Sequence, residues 1–143
     1  MLDGRLHRLV EGRGLEWLSS AVMVAWGGTL ALPGNTFDTG SFAAFHGYGP
    51  MDEAFWAAAF GLVGGARIAA LYINGRNPRT PYARMSGSLF GALSWGQVSW
   101  LFTQGTFGVT GVPSTGTGVY ALLALADLVS IFRAAHDARY QHA

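Results

Sequence analysis

Two long stretches of the sequence contain no charged residue, and they limit what the chain can fold into. The first lies between Glu16 and Asp38, and the second between Arg84 and Asp127. A helix of about 20 apolar residues crosses the hydrocarbon core of a bilayer, which is about 30 Å thick. Both stretches are long enough for this, so they predict membrane-spanning helices.

The composition points to the same class of protein. Of the 143 residues, 12% are charged and 50% are hydrophobic, and the mean hydropathy is +0.28, whereas a soluble domain carries roughly 25% charged residues. A net charge of +1 provides no basic surface for nucleic acid. The absence of cysteine excludes disulfides and thiolate metal sites. We therefore predict one integral membrane domain, residues 1–143, without nucleic-acid specificity.

Four spans are predicted, and together they make an all-α, four-helix membrane bundle. Their approximate limits are residues 15–32, 54–73, 87–102 and 118–134. Residues 105–118 are rich in Gly, Thr and Ser and predict a loop. The segment before the first span has helical apolar spacing, which indicates either a short interfacial helix or a frayed polar leader. The same region could also be read as a cleaved signal peptide, but Glu11 and Glu16 are unusual in such a leader.

The arginines predict the orientation of these spans. They precede the first span, lie between the second and third, or follow the fourth, except for Arg67 inside the second span. The connections at residues 33–52 and 105–117 contain no basic residue. By the positive-inside rule, both termini and the middle loop are cytoplasmic.

Small residues at four-residue spacing predict the faces by which the helices pack. Membrane helices associate through close backbone approach and polar contacts. The predicted faces consist of Ala57, Gly61, Gly65 and Ala69 in the second span, and Ser88, Ala92 and Gly96 in the third. These faces join either the helices of one subunit or neighbouring subunits in a homo-oligomer.

Arg67 and Asp127 are the ionisable residues inside the predicted spans. A charge near the bilayer centre costs on the order of 2.5–3.5 kcal/mol on insertion scales, so it is usually paired or faces water. The second and fourth spans run in the same direction, and both residues lie at a similar distance from the cytoplasmic end. We therefore predict an intramembrane ion pair between them. The alternative for Arg67 is that its side chain extends to the interface.

Further polar side chains occur on the third and fourth spans: Ser94, Gln97, Ser99 and Ser130. They either line a wet path or form hydrogen bonds between helices. In the first outer connection, Phe37, Phe42, Phe45 and His46 form an aromatic patch. This patch either enters the headgroup layer or packs on the protein's own helices.

Nothing in the sequence has the pattern of an enzyme or a cofactor site. The histidines, at positions 7, 46, 136 and 142, lie outside the predicted spans, where they cannot ligate a haem within the bundle. We find no spacing typical of metal ligands, of a nucleophile elbow or of a phosphate loop. The sequence therefore predicts a non-enzymatic protein without a cofactor.

Several loops and helix ends resemble those of a known type of protein. They are residues 72–84, 114–120, 126–130 and 133–139. Together they resemble small four-helix membrane proteins encoded by tailed bacteriophages of high-GC hosts, and the arginine-only, Ala/Gly-rich composition suits such genomes. Proteins of this type are mostly unassigned or called holin-like. Usual phage holins have one to three spans, whereas this chain is predicted to have four.

The resemblance implies a place in the bacterial inner membrane, with or without carriage in a virion. The basic residues of the middle loop, Arg76, Arg79 and Arg84, are predicted to contact either anionic lipid or the acidic surface of a partner. Four functions remain open: a holin-like oligomer, a virion or infection protein that aids DNA entry, an anchor for a partner protein, and a small oligomeric channel or transporter. The implied partners are membrane lipid, further copies of the chain and other phage proteins.

Overall fold

The computed structural model describes residues 13–47, 51–73, 80–109, 111 and 114–140, and all regular structure within them is helical. The long helices are α1 (Gly14–Leu30), α2 (Glu53–Ile73), α3 (Thr80–Val109) and α4 (Thr115–Tyr140). Two 3₁₀ helices, Thr36–Asp38 and Gly40–Gly47, lie between α1 and α2. The predicted all-α class is confirmed for these residues. The predicted interfacial segment before residue 13 lies outside them.

The bounds of α1 and α2 lie close to the first two predicted spans, but α3 and α4 are longer than predicted. The loop predicted to begin at residue 105 is wrong over residues 105–109, which belong to α3. No proline interrupts this segment, and Gly105 is buried against the α1–α2 connection, so packing outweighs its weak helix propensity. Similarly, α4 continues through the polar tail because Ala134 and Ala138 are buried.

Side-chain caps and one glycine turn determine where the helices begin and end. The Asp52 carboxylate accepts a hydrogen bond from the Phe55 amide at 2.8 Å at the start of α2. The Ser114 hydroxyl accepts one from the Gly116 amide at 3.2 Å at the start of α4. Both are N-cap contacts. After α1, Gly34 has a φ of 147°, a backbone conformation that glycine adopts without strain.

The helices form two hairpins: α1 packs chiefly on α2, and α3 chiefly on α4. In the first hairpin the two backbones approach closely at glycines. A Cβ atom on Gly27 would lie 2.7 Å from the Gly61 amide nitrogen, and one on Gly64 would lie 2.9 Å from the Val24 amide nitrogen. Contacts between the hairpins, from α1 to α4 and from α2 to α3, are less extensive. We call the surface between the two hairpins the seam.

Residues 36–47 fold as a strap over one end of the bundle. The strap is held to the start of α2 by Glu53, whose carboxylate accepts hydrogen bonds from the Thr36 and Phe37 amides at 3.0 and 3.3 Å. It also packs on α3: the ring centroids of Phe42 and Phe102 are 4.9 Å apart. The strap therefore connects the first hairpin to the second.

An aromatic cluster fills the bundle beneath the strap. Phe37 and Phe45 are buried, so this part of the first connection packs on the protein's own helices. Trp26 and Phe60 are neighbours, with ring centroids 4.4 Å apart, and the Trp26 indole donates a hydrogen bond to the Tyr120 hydroxyl at 3.0 Å. This last contact joins α1 to α4 across the seam.

Large apolar side chains cover the outside of the bundle. Leu62 on α2, Leu93 on α3 and Phe132 on α4 are 74%, 63% and 75% exposed. Within the described residues, the helical segments Glu53–Ile73 and Thr115–His136 are each long and apolar enough to cross a membrane. The exposed surface of these helices is thus rich in large apolar side chains.

Candidate functional site: two buried ion pairs at the seam

The Arg67 and Asp127 side chains meet inside the bundle. The Arg67 guanidinium donates to both carboxylate oxygens of Asp127, with Nη1–Oδ2 at 3.0 Å and Nη2–Oδ1 at 2.5 Å. The side chains are 6% and 0% exposed. This bidentate geometry is the strong form of an arginine–carboxylate contact. The structure thus brings together the two residues predicted to pair, and joins α2 to α4.

Ser19 and Trp95 complete the hydrogen bonding around this pair. The Ser19 hydroxyl donates to Asp127 Oδ2 at 2.7 Å. It accepts hydrogen bonds from Trp95 Nε1 at 3.0 Å and from Arg67 Nη1 at 3.3 Å. All four helices therefore contribute one side chain to a connected polar network, as buried polar groups require.

Glycine on α3 leaves the space that the Arg67–Asp127 pair occupies. A Cβ atom on Gly91 would lie 2.0 Å from both Arg67 Nη1 and Asp127 Oδ2, and one on Gly87 would lie 3.3 Å from Arg67 Cγ. Any larger residue at position 91 would collide with the charged groups. The predicted small-residue character of α3 thus makes room for an ion pair as well as for a neighbouring helix.

A second buried ion pair joins α1 to α3. Arg84 Nε donates to Glu16 Oε2 at 3.0 Å, and Arg84 Nη2 donates to Glu16 Oε1 at 2.5 Å. Both side chains are 4% exposed. The sequence does not predict this pair, because Arg84 lies in the segment predicted to be the middle loop. The signal was present, since both residues lie at the charged ends of parallel helices.

The prediction that Arg84 contacts lipid headgroups or a partner is therefore wrong. Because α3 begins at Thr80, Arg84 lies in its second turn and points into the bundle, where Glu16 neutralises it. Arg76 and Arg79 lie outside the described residues.

The two ion pairs lie close together and cross the seam in different directions. One joins α2 to α4 and the other joins α1 to α3, so each connects the two hairpins diagonally. A small crevice between them is lined by both arginines, Glu16, Gly87 and Ser88. Each hairpin contributes one arginine and one acid, and the closed cluster has no net charge.

The predicted packing face of α2 is only partly correct. Gly61 and Ala57 meet α1 through their backbone atoms, but Gly65 and Ala69 are exposed. The buried face of α2 is instead formed by Trp56, Phe60, Gly64, Arg67 and Leu71. Aromatic packing and the ion pair, rather than the glycine spacing, determine which side of α2 faces inward.

On α3, Ser88 and Ala92 are buried as predicted for a packing face, but Gly96 is exposed. Residues at strict four-residue spacing rotate about 40° per step around a helix. By Gly96 the line has therefore turned away from the seam, and Trp95 and Val98 occupy the buried positions.

The predicted polar residues have different roles. The Ser99 hydroxyl donates to the Thr117 carbonyl on α4 at 2.9 Å, which is a hydrogen bond between helices. The Ser130 hydroxyl donates within α4, to the Ala126 carbonyl, also at 2.9 Å. Ser94 and Gln97 are half-buried. Within the described residues, these four side chains do not form one continuous polar line.

The arrangement can hold charge inside an apolar environment and can connect the two hairpins. Within the described ranges, no group of three or more His, Cys, Asp or Glu side chains is arranged to hold a metal ion. The cluster consists of two bidentate ion pairs, one serine and one indole at a single interface. No protein-family model, curated protein or solved structure matches this chain.

Proposed function

We propose that the chain is an integral membrane protein with four spans in the bacterial inner membrane. The supporting observation is the distribution of polarity. Four charged side chains, Glu16, Arg67, Arg84 and Asp127, are buried beside the aromatic core, while large leucine, phenylalanine and valine side chains cover much of the outside. A water-soluble bundle has the reverse arrangement, because apolar side chains leave water on folding.

In this proposal the strap faces away from the cytoplasm, and both termini lie on the cytoplasmic side. Arg13, Arg84 and Arg139 lie towards the end of the bundle opposite the strap. The strap and the start of α2 carry acidic residues, including Asp38 and Glu53. An excess of arginine on the cytoplasmic side is typical of membrane proteins.

Within the membrane, the proposed activity is holin-like: copies of the chain assemble and make the membrane permeable. One observation carries this proposal. Buried polar side chains are concentrated at the seam. The first hairpin contributes Glu16, Ser19 and Arg67, and the second contributes Arg84 and Asp127. The inner face of each hairpin thus has a polar segment beside its aromatic one, and a polar segment of this kind is what lines a wet lesion while the outer face contacts lipid. A passive anchor needs no such polar face.

Controlled expression in a Gram-negative host tests the proposal. Culture density and release of a cytoplasmic enzyme are followed with and without a co-expressed endolysin, and membrane fractions are checked for the inserted chain. Abrupt, timed lysis that needs the endolysin is the expected result. Steady growth with the chain stably inserted would contradict the holin-like activity, and recovery of the chain in the soluble fraction would contradict the membrane location.

A further inference from the structure

The seam differs from the interfaces inside each hairpin. Inside the first hairpin, α1 and α2 meet through close backbone contacts at Gly27 and Gly64. Across the seam, the helix contacts are less extensive, and they consist of the two ion pairs, the hydrogen bonds of Ser19, and aromatic pairs such as Phe60–Trp95, whose ring centroids are 5.3 Å apart. Charged contacts can form equally well with any partner that presents the same groups in the same geometry. The hairpins are therefore the units that the fold keeps together, and the seam is the surface along which they can separate.

The charges on the two sides of the seam are complementary. The first hairpin presents Glu16 and Arg67, and the second presents Arg84 and Asp127. Each arginine pairs with an acid on the other hairpin. The surface that closes one copy is thus also the surface that a second copy of the chain presents.

We infer that the chain oligomerises by exchanging hairpins, so that the first hairpin of one copy packs on the second hairpin of the next. The inference rests on the proposed function and names both its partner, a second copy, and its interface, the seam. The Arg67–Asp127 and Glu16–Arg84 pairs then form between copies rather than within one. Exchange of identical elements adds copies without any new contact, because the closed subunit already contains the interface.

Exchange must release the contact of the strap with α3 as well as the ion pairs and the aromatic contacts of the seam. The strap belongs to the first hairpin, yet Phe42 and Phe45 pack on Phe102 of the second, with ring centroids 4.9 and 5.7 Å apart. A Cβ atom on Gly105 would lie 3.5 Å from the Cβ of Ala44. In an exchanged oligomer this strap contact also forms between copies.

Complementary charge reversal tests the exchange directly. Arg67→Asp places two acids at the seam of one chain, and Asp127→Arg places two arginines there. When each variant is expressed separately, the amount of chain in the membrane, or the amount of cytoplasmic enzyme released by lysis, is expected to be about tenfold lower than for the wild type. Co-expressed with different tags, the two variants are expected to restore each other and to co-purify, because opposite charges then meet between copies.

The matched control is the double variant Arg67→Asp/Asp127→Arg in one chain, which restores opposite charges without a second copy. If this control accumulates normally while the co-expressed single variants stay as defective as each is alone, the exchange is contradicted.

A cysteine pair gives a second answer that does not depend on charge reversal. The chain has no cysteine, so Ala44→Cys/Gly105→Cys introduces a single defined disulfide, and the 3.5 Å Cβ separation suits one. Exchange predicts a ladder of disulfide-linked dimers and larger species on non-reducing gels. Each single cysteine variant can link two chains but not more. A product that contains only internally linked monomer would overturn the inference.

The two proposals fail in different ways. If the wild-type chain inserts without causing lysis, the holin-like activity is wrong, and the gel still decides whether hairpins are exchanged. If lysis occurs but the oxidised cysteine pair remains monomeric and lyses cells as wild type does, the exchange is wrong and the holin-like activity stands.

Discussion

At the scale of single residues, Asp127 is the most deeply buried charged side chain that the structure describes. It is 0% exposed and accepts hydrogen bonds from both Arg67 nitrogens and from Ser19. Burying an ion is costly unless a partner of opposite charge and further hydrogen bonds compensate for the lost water. Here all of these partners are present, so removal of the carboxylate charge leaves the Arg67 cation buried and uncompensated.

We expect Asp127→Asn to lower the free energy of unfolding by about 3–5 kcal/mol, the usual effect of breaking a buried pair. Thermal melting of the detergent-solubilised protein measures this. Asp38→Asn is the control, because Asp38 lies on the surface with its side chain 58% exposed. The double variant Arg67→Gln/Asp127→Asn should lose less than the sum of the single variants, since no unpaired charge remains. Unchanged melting of Asp127→Asn would show that the pair does not stabilise the fold.

Gly91 permits a second test of the same ion pair, in which a steric clash rather than a change of charge disturbs it. Gly91→Ala should lower the free energy of unfolding by about 1–3 kcal/mol, because its Cβ would lie 2.0 Å from Arg67 and Asp127 atoms. Gly96→Ala on the same helix is the control, since its Cβ would meet nothing within 4 Å. Alanine favours helix over glycine, so the control should melt at or above the wild-type temperature. Equal melting temperatures for the two variants would contradict the close approach.

At the scale of helices, the first hairpin depends on Gly64, whereas the adjacent Gly65 faces open space. A Cβ on Gly64 would lie 2.8 Å from Val24 Cγ2 and 2.9 Å from the Val24 amide nitrogen, whereas a Cβ on Gly65 would meet nothing within 4 Å. We expect Gly64→Ala to separate α1 from α2 and to cost about 1–3 kcal/mol, while Gly65→Ala is neutral or slightly stabilising. Folded yield and melting in detergent compare the two variants. The reverse order would mean that the sequence-predicted Gly61–Gly65–Ala69 face is the real interface.

The positions of the helices could be predicted from the sequence, but the faces by which they pack could be predicted only in part. Helical spacing located the long helices, and the shared depth of Arg67 and Asp127 predicted their contact, because both follow from the 1.5 Å rise of a helix. The buried face of α2 is the one that contacts Trp26 and Trp95. Several faces of this helix carry small residues, so their spacing alone does not show which face is buried. The prolines and charged residues near position 80 predict that the third helix begins several residues later than it does. Arg84 therefore falls in a predicted loop. For the strap, the sequence predicted packing on the protein's own helices as one alternative, but not its contact with α3, because no shared depth or charge relates Phe42 to Phe102.

At the scale of the whole molecule, the fold has two kinds of helix interface, one inside each hairpin and one between the hairpins. Inside the first hairpin, the α1 and α2 backbones approach closely at Gly27 and Gly64. The two hairpins are held to each other by ion pairs, one network of hydrogen bonds and the aromatic cluster beneath the strap. Interactions of the second kind are directional and complementary, so a second copy can satisfy them.

The outward apolar surface leads to a test that separates a membrane bundle from a soluble one. Leu125 is 55% exposed and lies two residues before the fully buried Asp127, so the two positions share a depth but not a face. In a bilayer, Leu125→Arg places a charge against lipid at a cost on the order of 2.5–3.5 kcal/mol, and the membrane-inserted fraction should fall about tenfold or more. Leu15→Arg is the matched control: Leu15 is 38% exposed at the start of α1, at the proposed cytoplasmic interface, where arginine is favoured. Carbonate extraction followed by immunoblotting measures insertion of both variants. In water an arginine at an exposed position costs almost nothing and improves solubility, so normal or higher yield of Leu125→Arg, recovered in the soluble fraction, would rule out the membrane bundle.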